Sequence, residues 1–326
     1  MKKYALMDLH LHLDGSQPLS SIKELAAMQD IPLPEDENEL LNLIQVSPQC
    51  RDLTEYLEKF AFPLSLMQSE KAISASVYNL CCHLHAQGLI YCEIRFAPQL
   101  HCDKGLSQAQ VIEAAIDGAK RSPIPCSLIL CCMRGTDNGA ANMETVELAA
   151  KYLGKEVKSV DLAGAEALFP TENFSGLFAR AKELNIPYTI HAGEAAGSES
   201  MLAALSMGTK RLGHGVHSYK DEKLMEKLAK EEVLLELCPT SNLHTCVFEN
   251  ISQYPIRTFL EKGVRFSINT DNMAVSHTNL EQEWQLVQSA FNLSHEEIKQ
   301  ILINTAKFTF ADAKTKEQLI KHINNL

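Results

Sequence analysis

The chain predicts an α/β fold, a closed (β/α)8 TIM barrel, on three observations. It holds eight short β-rich runs, at 4–11, 89–97, 126–133, 157–163, 187–192, 211–216, 233–238 and 264–269. Several are nearly continuous in apolar residues, as strands covered on both faces are. Most of the segments between them carry one helical pattern, such as SGLFARAKELN at 175–185 and DEKLMEKLAKEE at 221–232. Strands alternating with helices imply right-handed βαβ units and a parallel sheet. Eight such units close a barrel, and 326 residues suit one. A doubly wound open sheet is the alternative topology. No Pro/Ser-rich linker, low-complexity tract or repeat divides the chain, so 1–326 reads as one domain.

Strand one leads into HLHLDG. His10 and His12 alternate with Leu9, Leu11 and Leu13. Period two turns both imidazoles to one face, which on a barrel strand faces inward. A helical insertion, about 18–70, follows at the end of the barrel where active sites form. Within it Leu53, Tyr56, Leu57, Phe60 and Leu64 recur at roughly helical spacing. That stripe is either an apolar lid over a pocket or a helix packed on the barrel. His83-Leu84-His85 repeats the HxH pattern, but it follows a segment that reads as helix. Residues two apart on a helix point about 200° apart and cannot chelate one ion.

The later strands end in polar clusters. Strand five ends in IHAGE, with His191 and Glu194. Strand six ends in GHGV, with His214 between glycines that admit close approach. Strand seven runs into LCPTSN, which reads as a turn with a supporting role, and strand eight ends in NTDN, with Asp271 and Asn272. The remaining histidines fall in loops or helices, and His217 reads as facing solvent. A helical tail follows strand eight, with Ser294 and Glu297 spaced as a capping box, and reads as cover for the barrel. Four strands thus end in His or Asp on one face, and nitrogen ligands with one carboxylate suit Zn²⁺.

Composition narrows the partners. A net charge of −11 argues against nucleic acid and anionic membranes. No run approaches a bilayer span, and no signal peptide is evident, so the chain is expected in the cytoplasm. The ten cysteines include no CxxC pair and read mostly as buried, reduced thiols.

With these residues assembled, the chain resembles the adenosine deaminase family. HLHLDG, LEKF, EIRFAP, DLAGAE, HAGE, GHGV, CPTSN and NTDN occur in the family's order along essentially the whole chain. It is not the smaller deaminase class with H-x-E and P-C-x-x-C. The resemblance implies one zinc per chain on His10, His12, His191 and Asp271, with His12 also bordering the substrate. It implies that His214 orients a zinc-activated water and takes its proton, and that Asp271 hydrogen-bonds the nucleophile attacking C6 of adenosine. Glu194 matches the acid that protonates N1, Gly164 the backbone donor to N3, and Asp14 the residue that holds the ribose 5′-hydroxyl. Leu57 and Phe60 match the family's apolar gate. The implied reaction gives ammonia and inosine from adenosine, and 2′-deoxyadenosine is an expected substrate.

Two positions depart from the common pattern. Asn272 stands where many members carry a second Asp against N7; an amide donates to N7 without first binding a proton. Ala165 stands where an acid often follows the glycine. The rivals are an adenine or other 6-aminopurine aminohydrolase, a non-catalytic purine-binding barrel and a two-metal hydrolase. Asp14 favours the nucleoside over adenine, because adenine-type relatives tend to carry Glu there. Lys23 and Arg51 are the only basic residues between Lys3 and position 55, too few for a nucleotide phosphate.

Overall fold

Eight parallel strands close on themselves. In the computed structural model, which describes residues 4–47, 50 and 53–325, they are β1 (Met7–His12), β2 (Tyr91–Phe96), β3 (Cys126–Met133), β4 (Val157–Ala163), β5 (Ile190–Ala192), β6 (Arg211–His214), β7 (Leu234–Leu237) and β8 (Arg265–Ile268). Arg51 and the side chain of Leu53 lie outside the described residues. Pairing runs β1-β2-β3-β4 and β5-β6-β7-β8. Two seams join the halves. At the first, Thr189 N–H donates to the Val160 carbonyl at 3.1 Å. At the second, His12 N–H donates to the Asp271 carbonyl and Asp271 N–H to the His10 carbonyl, both at 2.8 Å. Three expected ligands therefore close the barrel with their own backbone.

Helices fill the connections. The insertion after β1 holds α1 (Leu19–Ala27), α2 (Glu37–Ile44), α3 (Leu53–Leu57), α4 (Ala61–Leu66) and α5 (Glu70–Ala86). The stripe from Leu53 to Leu64 is not one helix: a 3-10 turn at Glu58–Phe60 separates α3 from α4. Pro63, inside α4, has no N–H to offer the carbonyl four residues back, which favours a tighter turn there. His83 and His85 ride on α5 as expected, and His83 meets Gln87 rather than His85.

Next come α6 (Gln108–Lys120), α7 (Gly139–Tyr152), α8 (Ser175–Glu183), α9 (Ser198–Met207) and α10 (Glu222–Lys230). CPTSN, read above as a turn, forms the helix α11 (Pro239–His244), started by Pro239 at its first position. After it come α12 (Ile256–Glu261) and the tail helices α13 (Leu280–Phe291), α14 (His295–Phe308) and α15 (Ala313–Asn324). The Ser294/Glu297 capping box is present on α14.

The strands look apolar because both their faces are covered; Leu9, Leu11, Ile94, Leu130 and Leu162 are fully buried. Charged residues are interleaved among them. Glu93, Arg95, Asp161, Arg211 and Glu236 are at most 2% exposed. Buried charges of this kind are tolerated only when paired and hydrogen-bonded. Arg95 donates to Asp161 Oδ2 at 2.9 Å and to Glu236 Oε2 at 2.7 Å. Arg211 donates to Glu236 Oε1 and Glu93 Oε2, each at 2.7 Å. The tail reaches this layer. The Phe310 N–H donates to Glu93, the Phe308 carbonyl accepts from Arg211, and the Phe310 ring lies 4.0 Å from the Arg211 guanidinium. No helix among the described residues is long and apolar enough to cross a membrane.

Candidate metal centre and active site

The polar strand ends meet at one point. His10, His12 and His191 have ligand nitrogens within 4.8 Å of one another. His10 Nε2 and His12 Nε2 each stand 3.4 Å from Asp271 Oδ1, and His12 Nε2 lies 3.4 Å from His191 Nε2. The rings point inward because of what lies behind them. His10 Nδ1 meets Glu236 Oε2 at 2.8 Å, and His191 Nδ1 stands 2.9 Å from Asp161 Oδ2. A proton held on Nδ1 by Glu236 leaves the His10 Nε2 lone pair facing the centre, and the Asp161 charge beside His191 Nδ1 favours the same tautomer there, the one a metal ligand requires. His10 Nε2 is fully buried and has no hydrogen-bond partner among the described residues. An orphaned imidazole nitrogen beside an ionised carboxylate, with two more imidazoles around it, fits a cation.

Charge follows the same arrangement. Burial pushes His12 and His214 well below the usual histidine range, and His191 below it. For His10, burial and Arg95 push down, but the neighbouring Asp271 and Glu236 carboxylates push up further. Burial opposes ionising Asp271, yet His10, His12 and His214 hold its carboxyl far below the usual range. Ser241 on α11 donates to Asp271 Oδ2 at 2.6 Å. The Cys238 thiol also lies close to His10, His214 and Asp271, and burial pushes it up.

Beside the cluster stand an acid and a base. Glu194 Oε2 lies 3.6 Å from His214 Nε2. Burial, then the charges of Asp271 and Glu166, raise the Glu194 carboxyl well above its ordinary value. Its loop is held by Glu166, whose carboxylate accepts from the N–H groups of Gly193, Glu194, Ala195 and Ala196 at 2.6–3.1 Å. An acid thus supports this loop one residue beyond Ala165. Behind His214, Asn242 Nδ2 donates to Nδ1 at 3.1 Å, and the Tyr254 hydroxyl donates to Asn242 Oδ1 at 2.8 Å. Gly213 lets the strands close here, since a Cβ on it would stand 3.1 Å from the His191 ring. His214 and Asp271 both adopt left-handed backbone, at φ +61° and +60°, a strained conformation typical of functional positions.

Over the cluster lies a cavity of about 270 Å³. Every expected site residue lines it except His10, which is buried behind the others. Asp14 and Asn272 are buried, and the Oδ1 of each has no partner among the described residues. Leu57, Phe60 and Leu64 line the cavity with Tyr56, whose hydroxyl pairs with Ser276 Oγ at 2.7 Å. The inner wall is apolar and includes Phe96, Cys131 and Met133. His217 is half-buried rather than facing solvent, with Nδ1 3.1 Å from the Ala196 carbonyl.

Sequence reading gave CPTSN, with Asn242, a supporting role but missed the rest of the support: Asp161, Glu236, Arg95, Glu166 and Tyr254. For the strand residues the signal was a charge every second position in an apolar run, as in YCEIRF. Glu166 carried only its motif neighbours.

Comparison with known proteins gives one answer. A family model described as adenosine deaminase matches residues 5–326. An adenosine deaminase of Haemophilus ducreyi is 44% identical, over 99% of this chain and 96% of its own. One from Clostridium botulinum is 37% identical, over 100% and 98%. Among solved structures, adenine deaminase from Arthrobacter aurescens superposes with a TM-score of 0.89 at 21% identity, covering 99% of this chain and 98% of its own. Arabidopsis N6-mAMP deaminase superposes at 0.88 and 24%, covering 100% and 99%. These two likenesses establish the barrel fold.

Proposed function

The chain belongs to the adenosine deaminase family, a group of metal-dependent hydrolases, and from that premise we propose that it converts adenosine to inosine and ammonia with one zinc ion on His10, His12, His191 and Asp271. The observation that carries the reading is the pairing of Glu194 with His214 beside the three-imidazole, one-carboxylate cluster on the floor of the cavity. It joins a general acid and a general base to a Lewis-acid site.

A bound zinc supplies Lewis acidity that brings the pKa of water toward neutrality. The chain's residues do the rest. Asp271 accepts a hydrogen bond from the attacking oxygen and fixes its line to C6. Glu194, kept protonated by burial, donates to N1 as the ring carbon becomes tetrahedral, drawing charge off C6.

His214 orients the water and takes its proton. In the placement observed, Asn242 donates to Nδ1, so the neutral ring carries its proton on Nε2 and donates into the site. Accepting a proton on Nε2 requires the other tautomer, with the Asn242 amide turned over to accept from Nδ1–H. The Tyr254 hydroxyl both donates and accepts, so it follows either orientation.

Substrate choice rests on the rim. Gly164 offers backbone to N3 and Asn272 its amide to N7. His12 borders the purine. Asp14 is buried with an unpartnered oxygen at the cavity, which suits a ribose hydroxyl better than the bare N9–H edge of adenine. No Lys or Arg lines the cavity among the described residues, and Lys23 is engaged by Glu37 at the surface, which disfavours a phosphate. Leu57 and Phe60 close the mouth. The test is the fall in absorbance with adenosine, adenine and AMP in parallel. Adenosine should turn over fastest; faster turnover of adenine or AMP would overturn the substrate assignment.

A further inference from the structure

Three thiols converge at the opposite end of the barrel from the cavity. Cys126 is the first residue of β3 and Cys92 the second of β2, and the two are register partners. Cys81 comes from α5. Their sulfurs all lie within 4.8 Å of one another. None is in a disulfide; Cys81 and Cys92 are buried, and Cys126 is partly open to solvent. We propose that Cys81, Cys92 and Cys126 form a second metal site, a trithiolate site for a divalent cation of the zinc group, separate from the catalytic centre.

Three arguments carry this. The first is distance. Zn–S bonds of about 2.3 Å in tetrahedral geometry put sulfurs roughly 3.8 Å apart, so the trio has to contract by about 1 Å at most. The second is that the alternative bond fits less well. A disulfide brings two sulfurs to about 2.05 Å, whereas an ion holds them at roughly 3.8 Å, nearer to where they stand. A bridge between two of the thiols would also leave the third unpaired. The third is charge. Three thiolates with a divalent ion sum to −1, and with a monovalent ion to −2, which is costlier to bury.

The neighbouring Cys126 and Cys92 thiols pull the Cys81 sulfur down, while those two are pushed well up. The ion would pin α5, which leads out of the lid insertion, to the floor of the barrel.

The probe is Cd²⁺ added to the zinc-loaded enzyme. One equivalent beyond the catalytic metal should bind and give a thiolate-to-metal absorption band. Cys126→Ser should lose most of that band and keep its deaminase activity. Cys246→Ser, which changes an exposed cysteine outside the trio, should keep both. Uptake of no metal beyond the catalytic equivalent, or an undiminished band in Cys126→Ser, overturns the proposal. A measurement on the unaltered chain stands beside the variant. Zn²⁺ should slow alkylation of Cys126, read residue by residue by mass spectrometry, and leave Cys246 unchanged; equal rates at Cys126 with and without Zn²⁺ also overturn it.

Discussion

Replacing Gly15 by Ala should impair purine recognition while leaving the metal in place. A Cβ on Gly15 falls 2.0 Å from Oδ1, 2.7 Å from Cγ and 2.8 Å from Cβ of Asn272. Carbon contacts ordinarily need about 3.5–4 Å, so the amide has to move out. The Gly15 backbone is not in the left-handed region, so alanine adds no strain of its own. The Gly15 carbonyl still accepts from the Ala274 and Val275 N–H groups, which keeps the loop after β8 in place. What is lost is the proposed donor to purine N7. One neutral hydrogen bond contributes about 0.5–1.5 kcal/mol net, and an acceptor left dry costs about 1–3 kcal/mol. The expected loss is thus about 1–3 kcal/mol, or about 5- to 150-fold in kcat/KM. Adenosine turnover reads it, with metal content measured on the same samples. Inosine and 7-deazainosine, compared as competitive inhibitors, isolate the contact. The wild type should prefer inosine, and Gly15→Ala should erase most of that preference. An undiminished preference refutes the placement of Asn272 against N7.

Three more outcomes are expected. Glu194→Gln should keep the metal and lower kcat by about 10²–10⁴; near-normal turnover would remove Glu194 from the acid role. Burial lifts the Asp14 carboxyl to about 6, so it is neutral below that pH and ionised above it. The ionised form accepts the 5′-hydroxyl more strongly, so KM for adenosine should fall as pH rises through about 6, while KM for 5′-deoxyadenosine stays level. The same step in Asp14→Asn would show that another group causes it. Asp161→Asn, behind His191, should weaken metal affinity about 10- to 100-fold in a chelator competition, and an unchanged affinity would count against the orienting role of Asp161.

The strands and the proposed ligand residues were legible because both signals are local. An apolar run marks a buried strand, and His10-Leu11-His12 states its own facing. The contrast with His83-Leu84-His85 shows that the backbone period decides what such letters mean. The supporting residues were not legible, because their partners are distant in the chain. His10 meets Glu236 226 positions away, and Arg95 meets Glu236 141 positions away. The three thiols hide for the same reason: 81, 92 and 126 have no motif spacing, and it is the β2–β3 register that pairs Cys92 with Cys126 and the packing of α5 that brings Cys81 to them. The broken lid helix and α11 were misread because a proline can open a turn, start a helix or interrupt one, and the sequence alone does not separate these cases.

The floor of the barrel has a consequence for how the protein is made. His10 and His12 are made before Asp271, and the seam that joins them needs β8. The charged layer behind His10 is capped by the Phe308 carbonyl and by Phe310, which are made later still. The ion therefore has no finished cradle until the chain has been extended past β8. A chain truncated before β8 would carry both histidines and lack Asp271 and the seam that holds them in register.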